Sequence, residues 1–369
     1  MYISWNFLKQ TDMKTYLKFL ISLFNKCFFK VFSIFFIIIL ILNIFEQVEF
    51  FKNESLNLLY LVFLSFLNTP SIIFEILPFI FLLTAQLFFL QLIENNELEI
   101  FKYNGLDNIK IIKILGIYSF ILGLIFIIIF YNISSVLKNS FLLIKNSYTN
   151  DDKYLAVITE NGLWIKDQIN NNINIINANK VDNEFLVDVS ITQFNKDFKI
   201  LRIIKSNKVD ISSYEWIVIK PKILENDESS FQDQIKLMSN FDLKKINSLF
   251  SNLYSLSIID LINLKKSYKS LNYSLIDLNS HLYKIIIYPV YLSLITIFAA
   301  IIMLNIGYGK NTFFTITYGI FLSVIIYYIN YFFNILGTNE KIPLFLSIIL
   351  PLIILSIINF TSIIKLNEK

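Results

Sequence analysis

Apolar and polar positions divide this chain into three parts, two blocks of long apolar runs around a polar middle that alternates with period two. The apolar runs cover 27–45, 70–93, 111–131, 285–304, 312–333 and 343–364. Each is close to the roughly 20 residues that cross a hydrocarbon layer as a helix, so about six transmembrane helices are expected, three per block. In the middle, 155–159, 173–176, 185–191, 199–204 and 216–219 alternate apolar and polar residues and predict short strands. Polar turns are expected at 160–162, 167–172, 182–183 and 195–197, and a charged loop at 225–230. These strands predict a small all-β sandwich or jelly roll. Ser257 reads as an N-cap for a helix over 258–283 that leads into the fourth span. Tyr16-Leu17-Lys18-Phe19-Leu20 is amphipathic, and Lys14 and Lys18 share a helix face, so an interfacial helix is expected there. Residues 55–68 are expected to add a helical turn or two before the second span.

Charge gives the runs a direction. Lys9, Lys14, Lys18, Lys26 and Lys30 precede or enter the first run, Lys102, Lys110 and Lys113 flank the turn after the second, Lys310 separates the fourth and fifth, and Lys365 and Lys369 follow the sixth. The opposite short loops hold Lys52 and Lys341 with Glu46, Glu49, Glu54 and Glu340. Lysine bias places both termini in the cytoplasm and the polar middle outside. The resulting fold class is an α-helical membrane protein with about six transmembrane helices and an inserted periplasmic all-β, jelly-roll-like domain. Its boundaries are expected at 1–134, 135–240 and 241–369.

Composition agrees with a membrane protein: 55% of the 369 residues are hydrophobic and 16% charged, where soluble domains hold about a quarter charged residues. Cys27 and His281 are the only cysteine and histidine, so neither a disulfide framework nor a Cys/His metal site is expected within one chain. The net charge of +4 comes from lysines beside spans and points to no nucleic acid. No cleavable signal peptide is expected, because about thirty residues precede the first run.

Candidate chemistry is sparse. Between the second and third runs lies Glu94-Asn95-Asn96-Glu97-Leu98-Glu99-Ile100-Phe101-Lys102-Tyr103-Asn104-Gly105. Residues 97–104 make one to two helical turns, Gly105 suits the left-handed position after a helix, and Asp107 suits the N-cap of the next one. Glu97 and Phe101 lie four apart and share a face; that is a peg for a groove on another protein, or equally an ordinary solvated turn. Glu75 is costly within a span and hence a functional candidate, though snorkelling to the interface accounts for it equally. Pro70 and Pro78 free backbone carbonyls, for gating or as passive shape. Thr315, Gly319, Ser323, Tyr327, Asn330 and Asn334 form a stripe whose packing role is favoured over substrate contact. His281 has no nucleophile or carboxylate pair pointing to it and reads as structural. Gly307-Tyr308-Gly309-Lys310-Asn311 lacks the spacing and the Ser/Thr of a phosphate loop, so no catalytic, metal or cofactor site is expected in this chain and any ATP is used by a partner.

In order and spacing these residues resemble the LptF/LptG permeases. Glu97 sits at the acidic position of the family's S-E-L stretch, with Asn96 for the serine, and Gly105 at the glycine that ends it. Pro70 and Pro78 match a proline pair in the second span. Asn161-Gly162-Leu163-Trp164-Ile165-Lys166-Asp167 resembles a G-L-W-x-K-D strand of LptG members, which favours LptG over LptF. Residues 281–289 are similar to the start of the fourth span, and Gly319 with 337–343 to the fifth span and its loop. Two departures stand out. The outer end of the first span, Phe45-Glu46-Gln47-Val48-Glu49-Phe50-Phe51-Lys52, has one basic residue where some LptG members carry several, and 305–310 lacks the family's arginine.

The resemblance implies an LptG-like subunit of an ABC transporter in the bacterial inner membrane. It would extract lipopolysaccharide and pass it to a periplasmic bridge towards the outer membrane. Implied partners are an LptF-like homologous permease, an LptB-type ATPase dimer and a single-span LptC-like protein. ATPase coupling falls to Glu94, Glu97, Leu98, Phe101, Lys102 and Gly105. The substrate cavity and its rim fall to Phe45, Glu46, Lys52, Phe74, Glu75, Tyr327 and Asn330. Two other classes are a non-transporting ABC-coupled mechanotransmission protein and a membrane-bound lipid-modifying enzyme, the latter disfavoured by the missing acid–base pair.

Overall fold

The computed structural model describes residues 2–52, 54, 56–148, 163–169, 172–182, 184–196, 198–225, 228–243, 246, 252–270, 274–305 and 312–367. The chain forms two compact units, Met1–Leu137 with Ile276–Lys369, and Lys138–Leu275. Its helices are α1 (Tyr2–Phe50), α2 (Leu58–Glu94), α3 (Glu97–Tyr103), α4 (Asn108–Ile125), a π-helical turn (Phe126–Tyr131), α5 (Asn132–Ser147), α6 (Ile258–Ser270), α7 (Ile276–Asn305), α8 (Thr312–Thr338) and α9 (Leu344–Asn367).

Among the described residues six helical stretches are long and apolar enough to cross a membrane: Thr15–Phe50, Leu58–Glu94, Asn108–Lys145, Ile276–Asn305, Ile316–Thr338 and Leu344–Leu366. All six expected spans fall within or overlap these stretches. Tyr16–Leu20 is not a separate element but part of α1, and 58–68 continue into α2 without a break. The helix expected over 258–283 is divided, because Ser274 and Leu275 leave helical conformation between α6 and α7. Ser257 does cap α6: its Oγ accepts from Asp260 N–H at 3.3 Å, and Asp260 Oδ2 accepts from Ser257 N–H at 3.3 Å.

α2 stays continuous although Pro70 and Pro78 lie inside it. A proline removes the N–H that would bond the carbonyl four residues back. For Pro78 that carbonyl belongs to Phe74, and the Tyr288 hydroxyl of α7 donates to it. α7 packs on α2, α4, α8 and α9. Its approach to α4 is close: a Cβ on Gly123 would stand 2.8 Å from Pro289 Cα, and Ser293 Oγ donates to the Gly116 carbonyl at 2.8 Å. Water expulsion does not drive such contacts within lipid, so small residues and fitted rings hold the helices. Phe24 of α1 meets Phe81, Phe88 and Tyr118 at 6.3, 6.0 and 5.8 Å. Further along α1, Asn43 accepts from Asn68 at 2.7 Å and donates to Thr69 at 3.3 Å.

The second unit carries an antiparallel sheet of β1 (Leu163–Ile169), β2 (Asn172–Asp182), β3 (Phe185–Phe194), β4 (Ile200–Asp210), β5 (Glu215–Ile219), β6 (Lys222–Glu225), β7 (Glu228–Phe231) and β8 (Gln234–Met238). β4 pairs with both β5 and β6, and β8 and β7 pair with these in turn. β5–β6 and β7–β8 are therefore two long strands, bent where Lys220 takes φ 47° and its N–H donates to Asp233 O at 2.8 Å. Read so, strands adjacent in sequence are adjacent in the sheet. That is a meander, and the crossovers of a jelly roll are not among the described residues. The strand at 155–159 and the turn at 160–162 lie outside them. The turn read at 167–172 is a correction: Asp167 to Ile169 belong to β1, and Asn172 opens β2. So is the loop at 225–230, where β7 forms with all four residues exposed and hence without alternation.

The sheet closes through buried polar contacts. The Asp167 carboxylate accepts from Ser239 Oγ (2.9 Å), Asn240 N–H (3.0 Å) and Asn240 Nδ2 (2.7 Å). These tie β1 to the segment after β8, the far strand of the sheet path. The fully buried Trp216 donates to the Phe241 carbonyl at 2.7 Å. Ile165, Ile176, Val189, Ile191, Ile204 and Val218 fill the interior.

Candidate functional site

The polar segment after α2 is shaped by left-handed residues at both ends. Asn96 opens α3 at φ 58°. Gly105 follows it at φ 80°, a conformation that costs other L-residues about 1–2 kcal/mol. Gly105 N–H donates to Lys102 O and Leu106 N–H to Phe101 O, both at 2.9 Å, the paired bonds of a Schellman cap. Asp107 occupies the N-cap position of α4 without a side-chain cap bond; it pairs with Lys110 at 3.5 Å instead. The chain is thus folded tightly from α2 through α3 into α4.

α3 turns one face inward. Leu98 is 3% exposed, and the Phe101 ring lies 5.8 Å from Phe19 of α1. Glu97 shares that face with Phe101, and its Oε2 is buried without a hydrogen-bond partner. The outward residues are Glu99, Lys102 and, with large apolar area, Ile100 (55% exposed) and Tyr103 (89% exposed). Ile100 and Tyr103 are three apart and share a face. The sequence reading missed both; two large apolar residues at helical spacing in a polar turn were the available signal. Glu94 is exposed at the end of α2.

The residues assigned to a cavity differ in their surroundings. Phe45 and Tyr327 are exposed, and Tyr327 lies edge-on to Tyr328 at 5.8 Å. Phe74 is buried, stacked on Tyr288 at 4.7 Å and tilted against Tyr131 at 5.1 Å; it builds the α2–α7 contact. Glu75 is exposed and acts electrostatically on Lys284 of α7, a partner not foreseen from the sequence. Glu46 and Lys52 are exposed at the end of α1 and in the turn after it. Asn330 is half-buried and hydrogen-bonds Tyr291. Of the stripe on α8, Gly319 packs against Gln86 and Asn334 accepts from Ser280 Oγ at 2.9 Å, so these members serve helix packing. His281 Nε2 lies 2.9 Å from the hydroxyl of buried Tyr131, at the end of the π-helical turn. The histidine is part of the packing between α7 and that turn. Residues 306–311, including Gly307, Gly309 and Lys310, lie outside the described residues.

Comparison with curated proteins found no similar sequence. The family model of the lipopolysaccharide export system permease LptF/LptG matches residues 18–365. That match takes in α3, the whole sheet and all but the outermost few residues of the six apolar stretches. The chain therefore belongs to the LptF/LptG family, as a multi-pass inner-membrane permease of lipopolysaccharide export and a transporter component, not itself an enzyme.

Proposed function

We propose that the chain is the LptG-like half of the exporter, paired with an LptF-like permease and driven by a separate ATPase dimer. In this reading both termini and α3 face the cytoplasm, and the sheet unit faces the periplasm, as lysine bias directs. A single-span LptC-like protein completes the assembly. The observation that carries the reading is α3: a short helix set between left-handed Asn96 and Gly105 joins two spans and presents Ile100 and Tyr103 outward. Burying each in a groove of the ATPase contributes about 1.5–3 kcal/mol.

The energetics explain why an ATPase is needed. Acyl chains gain about 0.8 kcal/mol per CH₂ when they leave water, but almost nothing on moving from a bilayer into an equally apolar cavity. Extraction therefore needs work, and selection falls to the headgroup. The exposed outer part of α1 around Phe45 and the Tyr327 side of α8 are the walls we assign to the acyl chains, with Glu46, Lys52 and the Glu75–Lys284 pair at the headgroup rim. The test is Ile100→Asp with Tyr103→Asp. ATPase retained on the purified permease, or its turnover, should fall by about tenfold or more. Normal turnover together with normal export would remove α3 from the coupling role.

A further inference from the structure

The first part of α1 carries two rows of side chains that follow its i, i+4 ridges. Lys18, Ser22, Lys26 and Lys30 form a polar row, and all four are exposed. Leu17, Ile21, Asn25 and Phe29 form the neighbouring, mostly apolar row. An open groove of about 670 Å³ is lined by residues of both rows from Leu17 to Phe29. Asn25 anchors it to α4, because its Oδ1 accepts from the Tyr118 hydroxyl at 2.7 Å. Among the described residues neither Lys18 nor Lys26 is engaged in an ion pair.

The groove changes character along the helix axis. Lys18 and Lys26 are about 12 Å apart along it, and Ser22 lies midway. Their four-carbon stems let both ammonium groups reach the level of Ser22, where they offer donors to a single anion. Phe29, 64% exposed, lies past Lys26 and inside the apolar run that begins at Cys27. The groove therefore leads from a basic interface into hydrocarbon. Charge here is one-sided: residues 1–45 hold Lys9, Lys14, Lys18, Lys26 and Lys30 against Asp12 alone. An acidic protein segment matches the lysines but not the descent to Phe29. An uncharged lipid matches Phe29 and leaves both ammonium groups unmet. An amphiphile with an anionic head matches both.

We propose that Lys18, Ser22 and Lys26 hold the phosphodiester of an anionic glycerophospholipid, whose glycerol and acyl chain lie against Ile21 and Phe29. This site is separate from the headgroup rim assigned above. Lys26 and Glu46 stand on one continuous helix, about 30 Å apart along its axis, which is the thickness of the hydrocarbon core. The groove and the rim therefore meet opposite leaflets, and the lipid in the groove is a resident neighbour, not cargo presented at the rim. Its contrast with cargo rests on the rim reading; the phosphodiester site itself does not.

The test places a photo-crosslinker at Phe29 of the full-length chain and, separately, at Ile38, exposed further along α1. The chain is reconstituted in nanodiscs of phosphatidylethanolamine and phosphatidylglycerol, with and without lipopolysaccharide. At Ile38 the two phospholipids should be captured in proportion to their share of the bilayer. At Phe29 phosphatidylglycerol should be captured in about 25-fold excess, about fivefold for each lysine beside an anionic headgroup. Lys18→Gln and Lys26→Gln should each remove about fivefold of that excess, and Lys26→Arg should keep it. Unchanged size-exclusion profiles of the variants separate binding from folding. Proportional capture at Phe29, or an excess that survives both Gln substitutions together, overturns the site. Capture at Phe29 of a protein in place of lipid, in native membranes, overturns the lipid assignment. Displacement of phosphatidylglycerol by lipopolysaccharide at Phe29 overturns the resident role. A crosslinker at Phe45 that captures no lipopolysaccharide removes the rim reading and leaves the phosphodiester site standing.

Discussion

At the scale of single residues, polar groups in this chain act where the backbone or a buried neighbour lacks a partner. The Tyr288 hydroxyl serves the Phe74 carbonyl that Pro78 strands, and an unpartnered buried carbonyl costs about 1–3 kcal/mol. Tyr288→Phe should therefore lower the melting temperature of the purified protein. Pro78→Ala in the same chain should recover most of that loss, because the restored N–H reaches the same carbonyl. A double-mutant cycle showing simple additivity would contradict the assignment. Little of this was legible beforehand. Both prolines and Glu75 drew attention in the sequence, but their partners Tyr288 and Lys284 lie more than two hundred residues away, and no local pattern encodes such a pairing. Asp167 was read as the first residue of a polar turn although the family resemblance put it at the end of a strand, and its partners Ser239 and Asn240 are too distant in sequence to be read from a local pattern.

At the scale of elements, apolar length and period-two alternation located what depends on burial alone. The spans emerged because lipid demands an apolar surface on every side, and β3 to β5 because one face is buried. β7 escaped because it is exposed on both faces. The π-helical turn at Phe126–Tyr131 escaped because nothing in Phe-Ile-Ile-Ile-Phe-Tyr distinguishes it from α-helix. Such turns hold one extra residue, with the flanking α-helical registers kept. Deleting Ile128, an exposed residue of that turn, should therefore preserve the contact of Tyr131 with His281 and leave expression and assembly near normal. Deleting Ile117 from the middle of α4 should rotate Gly123 off Pro289 and abolish both. Size-exclusion profiles of the two deletions give the comparison, and equal damage from both would refute it.

At the scale of the molecule, orientation is the proposal with the most direct test. Asn207 on β4 is exposed, whereas Asn171, a natural labelling position in the sequence, lies outside the described residues. In a Cys27→Ser background, Asn207→Cys should react with an impermeant thiol reagent in intact spheroplasts. Labelling only after lysis would invert the topology. The helical unit has a mechanical consequence as well. α2 runs from Leu58 to Glu94, 37 residues without a break, or about 55 Å at 1.5 Å per residue. One end adjoins α3, and the hydroxyl of Tyr288 splices the shaft at its proline joint. A rod of that length is a lever: rocking it by about 5° at the α3 end sweeps the other end sideways by about 5 Å. In the coupling proposed for α3, a stroke too small to notice at that end becomes, at the far end of α2, a displacement comparable to the width of one acyl chain.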